Sequence, residues 1–467
     1  MRRPAFFLVL TLSTAWPAWS APAAMPTPYD RAIAAGYKAL MLCGAIYNGG
    51  RTQEQVEALE LTGIYPEYAP LMPELKAEVD RDSATVSVPW SEVMPARSAA
   101  WRPNKGCVIR PLGWAMLPDA EPPRIRQVSP LEAKPTDAQP WPMGDADAQA
   151  RKLPRKLAPV AAKAFTMESF GAGTRTTGVV VVQGGKIVAE QYAEGFTLHT
   201  AQRTWSVAQS LTGTLLGMSA QQGWMRIDNY AAIPEWDRPM IDPRKTITVD
   251  HLLHMSSGLH TATDGRRTDD IEFGGSSVQE VATSWPAEVP SGTRFRYSNT
   301  DILLAVRALR ASMPSEEEYQ AFPAQMFTAI GMTRTVAERD WRGNFVLSSQ
   351  VWSTARDLAR FGLLYLNEGV WQGERLLPVD WEKYVAKPAG PQPDPATPEG
   401  QYGYGMTFWL LNHSAGVPAD TFAAWGDRGQ FVIIVPSRQV VIVRRGEDPT
   451  GSHFDFARFT AEVLAAL

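Results

Sequence analysis

Apolar positions along the chain fall into two textures, divided near residue 160. From Tyr29 to Ala45 they recur at helical spacing, and a second helix is expected from Thr52 to about Leu61. A strand is expected at Ser83-Ala84-Thr85-Val86-Ser87-Val88. Nine prolines then fall between Pro118 and Pro159, among Ala, Asp and Gln. Proline fixes φ and removes a backbone donor, so this stretch reads as an extended linker. The basic run Arg151-Lys152-Leu153-Pro154-Arg155-Lys156 at its end reads as a solvated face.

Beyond residue 165 longer apolar runs take over. Gly178-Val179-Val180-Val181-Val182-Gln183 is a buried-strand run, Gly184-Gly185 a hairpin turn and Lys186-Ile187-Val188-Ala189-Glu190 the returning strand. The middle is largely helical. A second strand pair, Gln430 to Val435 and Gln439 to Val443, is joined by Pro436-Ser437-Arg438, and a last helix runs from Phe454 to about Ala466. Strands at both ends of a helical middle predict one sheet assembled from both termini, an α+β domain. The expected divisions are 28–117 as an accessory segment, 118–160 as linker and 165–467 as the main domain. No internal repeat is visible.

The first residues change the setting. Arg2 and Arg3 precede an apolar stretch from Ala5 to about Thr14, and Ala18-Trp19-Ser20 or Ala21-Pro22-Ala23 offers small residues for cleavage. This pattern predicts a signal peptide over residues 1–23 and an exported protein, periplasmic or secreted. Export bears on Cys43 and Cys107, the only two cysteines. An even count in an oxidising compartment favours a bridge, worth roughly 4 kcal/mol in the chain-entropy model. Two buried thiols are the alternative. Composition narrows the class further: 45 basic and 49 acidic side chains give a net charge of −4, which offers no reason to expect a nucleic-acid partner. No membrane span is expected after cleavage of the leader. Oligomeric state is not legible.

Candidate chemistry begins at Ser206 in Trp205-Ser206-Val207-Ala208-Gln209-Ser210-Leu211-Thr212-Gly213. Helix-compatible residues follow it, so Ser206 belongs at a helix N-terminus, where free N–H groups can stabilise an oxyanion. A serine there is also a common N-cap. Further motifs are Asp250-His251-Leu252-Leu253-His254-Met255-Ser256-Ser257-Gly258-Leu259, Tyr297-Ser298-Asn299, Tyr402-Gly403-Tyr404-Gly405 and Gly426-Asp427-Arg428-Gly429-Gln430. In this order they resemble the serine β-lactamase-like hydrolases: class C β-lactamases, DD-peptidases, related esterases and 6-aminohexanoate-dimer hydrolases. The stretch Ala355 to Asn367, with Gly369, Trp371 and Gly373, looks like the amide-hydrolase branch. The resemblance covers roughly residues 165–467. It implies the β-lactamase/transpeptidase-like fold, an antiparallel sheet flanked by helices with a helical subdomain.

Carried over residue by residue, the resemblance makes Ser206 the acylated nucleophile, Tyr297 the proton shuttle and Asn299 a substrate-contacting amide. It puts Asp427-Arg428-Gly429 at the strand motif that meets substrate, and the backbone N–H groups of Ser206 and Gln430 at the oxyanion hole. It implies a small amide or ester substrate, no cofactor and no metal. The sequence departs from the family pattern at Gln209, where Ser-x-x-Lys has its lysine, and none of the eleven lysines has a serine three residues earlier. Gln can hydrogen-bond but cannot carry charge or take a proton. Losing an activating group of this kind typically lowers a rate by about 10²–10⁴. Asp427 departs too, since a carboxylate there repels an anionic β-lactam, with Arg428 as partial compensation.

Other features have plainer readings. His251, His254 and His260 cluster, but the motif at 250–259 already accounts for that helix and they are not read as metal ligands, and Asp269, Asp270 and Glu272 read as a solvated loop. Most of the 16 tryptophans read as packing residues. Three functions follow as expectations: an exported serine hydrolase, a catalytically impaired relative that binds a cell-wall peptide or similar ligand, and a hydrolase delivered to a partner by residues 28–117.

Overall fold

Strand pairs from the two ends of the region beyond residue 160 meet in one antiparallel sheet. Its order is Gly403–Tyr404, Trp409–Leu410, Phe422–Gly426, Gln430–Val435, Val440–Gly446, Thr176–Gln183 and Lys186–Tyr192. The join between the chain ends is the pairing of Val440–Gly446 with Thr176–Gln183, in a register that sets Val443 opposite Val180. Val179 to Val182 and Val440 to Val443 are all 0% exposed, so both faces are covered. That double burial is why these strands read as unbroken apolar runs rather than alternating ones. Helix Ala355–Leu366 lies on three of the inner strands, Gln430–Val435, Val440–Gly446 and Thr176–Gln183. It approaches so closely at Gly362 that a Cβ there would sit 2.5 Å from a methyl of Val441. The last helix, Phe456–Ala466, begins two residues later than expected and stacks Phe456 on Phe431 at 4.5 Å.

This computed structural model describes residues 25–114, 129–146, 154–239, 241–261 and 267–467. The expected leader, parts of the proline-rich stretch and Arg151 to Leu153 of the basic run lie outside the described residues. Within the proline-rich stretch, residues 129–146 pack on the main body. Arg334 donates to the carbonyls of Pro130 and Glu132, and Arg360 to those of Pro142 and Gly144.

The N-terminal segment builds its own small layer. Helix Pro28–Tyr47 starts at a Thr27–Asp30 capping box with proline in its first turn. It lies on a four-stranded antiparallel sheet, Glu78–Asp80, Thr85–Val88, Arg97–Arg102 and Gly106–Ile109. The second helix, Gln53–Ala58, is also capped by a threonine box but ends earlier than expected because Leu59 leaves helical geometry. Cys43 and Cys107 form a disulfide between the long helix and the last strand, with Cα atoms 6.1 Å apart. The helix is buried from Ile33 to Tyr47, far beyond one amphipathic stripe, because Trp205, Phe273 and Trp352 of the main body join its apolar cluster. Among the described residues no helix is long and apolar enough to cross a membrane.

Candidate active site

Ser206 precedes helix Val207–Gln221, in N-cap position but with helical backbone angles and no side-chain capping bond. Its hydroxyl is therefore not spent on the helix end, the commoner duty of a serine there. Several contacts hold the approach to it. Arg445 donates to the carbonyls of Gln202 and Arg203 and to that of Ser353, and Thr204 N–H donates to Val351. Arg445 is fully buried, and loss of solvent lowers its pKa to about 10. Trp205 takes a left-handed φ of 50°, an uncommon conformation for a bulky side chain. The bulk of Trp205 is fixed by the Arg203 guanidinium 4.1 Å above its ring and by the edge of Tyr65.

A cleft of about 870 Å³ opens at Ser206, and Tyr297, Asn299, Glu272, Trp409 and Gly426 are among the residues lining it. Tyr297 is held by its ring, stacked on Trp409 at 5.7 Å and edge-on to Tyr404. Asn299 opens helix Asn299–Ser312, whose N-cap is Ser298. The Ser256-Ser257-Gly258 motif supports that helix start, since Ser257 Oγ donates to Asp301 at 2.8 Å. Burial pushes the Asp301 carboxyl up to about 7, against the lowering effect of its serine donors. Gln209 is 1% exposed, and its Nε2 donates to Asn299 Oδ1 at 3.0 Å. Asn299 Nδ2 in turn lies 3.4 Å from Glu272 Oε1, and Arg203 clasps Glu272 Oε2 at 2.6 Å.

Two expectations are corrected here. Glu272 is not in a solvated loop: it ends helix Asp269–Glu272, is 4% exposed, and is held by Arg203 and by the Thr268 hydroxyl at 2.8 Å. Asp427-Arg428-Gly429 is not strand but a tight 3₁₀ turn between Phe422–Gly426 and Gln430–Val435. Arg428 has a left-handed φ of 56°, and its guanidinium turns away to Glu447 at 2.8 Å and to backbone carbonyls of Leu59 and Thr62. It is not free to offset Asp427. Gln430 does not line the cleft and is 0% exposed, with its side chain fixed between Arg445 and the carbonyl of Gly446.

The residue that meets the serine is Gly426. A Cβ there would lie 2.3 Å from Thr204 O and 3.1 Å from Ser206 N, so only glycine lets the strand end reach the helix N-terminus. Its signal in the sequence was the first glycine of Gly426-Asp427-Arg428-Gly429-Gln430, the last strand residue before the turn.

The histidine motif is structural. His254 Nδ1 lies 3.0 Å from Asp250 Oδ1, His251 Nδ1 accepts from Thr248 N–H, and His260 pairs with Glu288. A different group has spacing suited to a metal ion: Asp137, Asp145 and His199. Arg334 pairs with Asp137, and Arg356 and Arg360 pair with Asp145. Those guanidinium groups already occupy the carboxylates, so the cluster ties residues 129–146 to the body rather than presenting a cation site.

The profile of the Beta-lactamase family matches residues 166–466, and the chain belongs to that family of serine hydrolases. It is 26% identical over 318 residues to a 6-aminohexanoate-dimer hydrolase of Paenarthrobacter ureafaciens, covering 60% of this chain and 75% of that one. The fold is shared with a D-alanine carboxypeptidase from Burkholderia cenocepacia (TM-score 0.51, 18% identity, 67% of this chain and 99% of that one). It is also shared with a penicillin-binding protein homologue from Caulobacter crescentus (TM-score 0.53, 16% identity, 68% and 98%).

Proposed function

We propose that the protein is an exported serine hydrolase that cleaves an amide or ester through an acyl-enzyme on Ser206. The observation that carries this reading is the uncapped Ser206 at a helix N-terminus, lining one cleft with Tyr297 and Asn299. Ser206 Oγ attacks the carbonyl carbon as its proton passes to the Tyr297 oxygen, which takes it as the phenolate. The amides of Ser206 and of the strand end beside Gly426 receive the developing oxyanion. Tyr297 returns the proton to the leaving nitrogen or oxygen, the old bond breaks, and water later releases the acid from Ser206. Asn299 orients the substrate, and Gln209, at the family's lysine position, holds Asn299. Export is supported by the Cys43–Cys107 bridge and the signal pattern of residues 1–23.

The impaired reading has its own support: the side chain beside Ser206 that would carry charge is a buried, neutral Gln209 committed to Asn299. A serine-reactive phosphonate separates the two. One adduct by intact mass, lost in Ser206→Ala, establishes a live nucleophile. No adduct on folded protein leaves the binding role.

A further inference from the structure

The N-terminal segment lies outside the family match at 166–466, yet it reaches the cleft. Its turn at residues 63–68 is pinned from several sides. Tyr68 donates to Asp269, Glu67 pairs with Arg267, and Thr62 binds both Arg175 and Arg428. These contacts carry Tyr65 to the cleft wall, with the Arg267 guanidinium 4.0 Å above its ring and the ring of Trp205, next to Ser206, nearly perpendicular to it.

Tyr65 faces Asp427 there. Its hydroxyl lies 3.4 Å from Asp427 Oδ2, a long contact, while Oδ1 accepts the Arg428 N–H at 2.9 Å. Both contacts are neutral donors, and Oδ2 keeps capacity for another. The cations that line the cleft are committed elsewhere: Arg267 to Asp269 and Glu67, Arg296 to Glu288, Arg428 to Glu447. Burial and the nearby carboxylate raise the Tyr65 pKa well above its ordinary value, so the phenol stays a neutral donor. An exposed carboxylate with spare acceptor capacity suits an ammonium group by charge.

We propose that Tyr65, supplied by the N-terminal segment, is a specificity residue that with Asp427 forms a subsite for an alkylammonium arm of the substrate. This rests on the hydrolase reading only for the word substrate; the subsite is defined by binding. The test titrates tryptophan fluorescence of the full protein with hexyltrimethylammonium, hexanoate and hexanol. The expected result is at least tenfold tighter binding of the ammonium than of hexanoate, with the preference shrinking in salt. Asp427→Asn should reduce that ratio at least threefold, at unchanged thermal midpoint and unchanged hexanol affinity, and Tyr65→Ala, which opens the carboxylate to water and so screens its field, should reduce it at least twofold. Equal binding of the two ions by the parent protein, or an unaltered ratio in both folded variants, overturns the proposal. Phosphonate labelling of Ser206 is scored in the same samples. Its absence removes the hydrolase reading while the charge preference is still judged by the titration.

Discussion

Replacing Glu338 by Gln should abolish a loss of stability that the parent protein undergoes between pH 4.5 and pH 8. Glu338 is 1% exposed at the joint between the N-terminal sheet and the main body. One carboxyl oxygen accepts from Asn48 Nδ2 at 3.0 Å and from the Cys107 N–H at 2.8 Å. Loss of solvent outweighs those donors and the attraction of Arg203, and pushes its pKa from 4.5 up to about 7. Below 4.5 the group is protonated in both folded and unfolded chains. As pH rises through 7 the folded protein must hold a buried carboxylate that the unfolded chain solvates freely. Stability is therefore lost between those two values, by about 3 kcal/mol in total.

Gln keeps the accepting oxygen and abolishes the titration. Its added amide hydrogens impose a penalty that does not change with pH, so the difference between the two pH values isolates the ionisation. Urea unfolding at pH 4.5 and 8 measures it through the midpoints of parent and variant. A relative gain of about 3 kcal/mol at pH 8 is expected. The same free-energy difference at both pH values would refute the claim that Glu338 titrates within the fold.

Three other outcomes are expected. Gln209→Lys should raise ester hydrolysis at least about tenfold if the rest of the site is intact, because an ammonium favours proton transfer to and from Tyr297; a folded variant no faster than the parent sinks that idea. Alkylation without reductant should modify neither Cys43 nor Cys107, and the double alanine variant should lose about 2–4 kcal/mol; two alkylated thiols in the purified protein would contradict the bridge. A chromogenic cephalosporin should be turned over weakly or not at all, since Asp427 repels its carboxylate; efficient hydrolysis would contradict that role.

The sheet was legible because its strands are buried on both faces. An apolar run such as Val179 to Val182 announces itself without knowledge of its partner. Ser206, Tyr297 and Asn299 were legible as an ordered set of motifs. The register at the cleft was not. Whether Gly426 or Gln430 meets the serine depends on where the strand stops, and the stop is set by Arg428 binding Glu447, a partner 19 residues on. Glu272 was misread for a related reason. Its local neighbours are acidic and polar, and its burial comes from Arg203, 69 residues earlier in the chain.

Those two long-range pairs say where the positive charge of this site has gone. Gln209, Asn299, Glu272 and Arg203 form a chain of contacts that starts beside Ser206 and ends in a guanidinium. A cation is present, but it stands at the far end of the chain, paired with a carboxylate. Arg428, another buried cation near the cleft, is paired in the same way with Glu447. The chain can fix the rotamers of Gln209 and Asn299 firmly, because each link is buried and directional. It brings no net charge beside Ser206, since Gln209 and Asn299 are neutral amides. With Ser206 as the proposed nucleophile, a site built this way should orient a substrate better than it activates the serine, which favours substrates whose leaving group departs without much help. Esters fit that requirement better than amides.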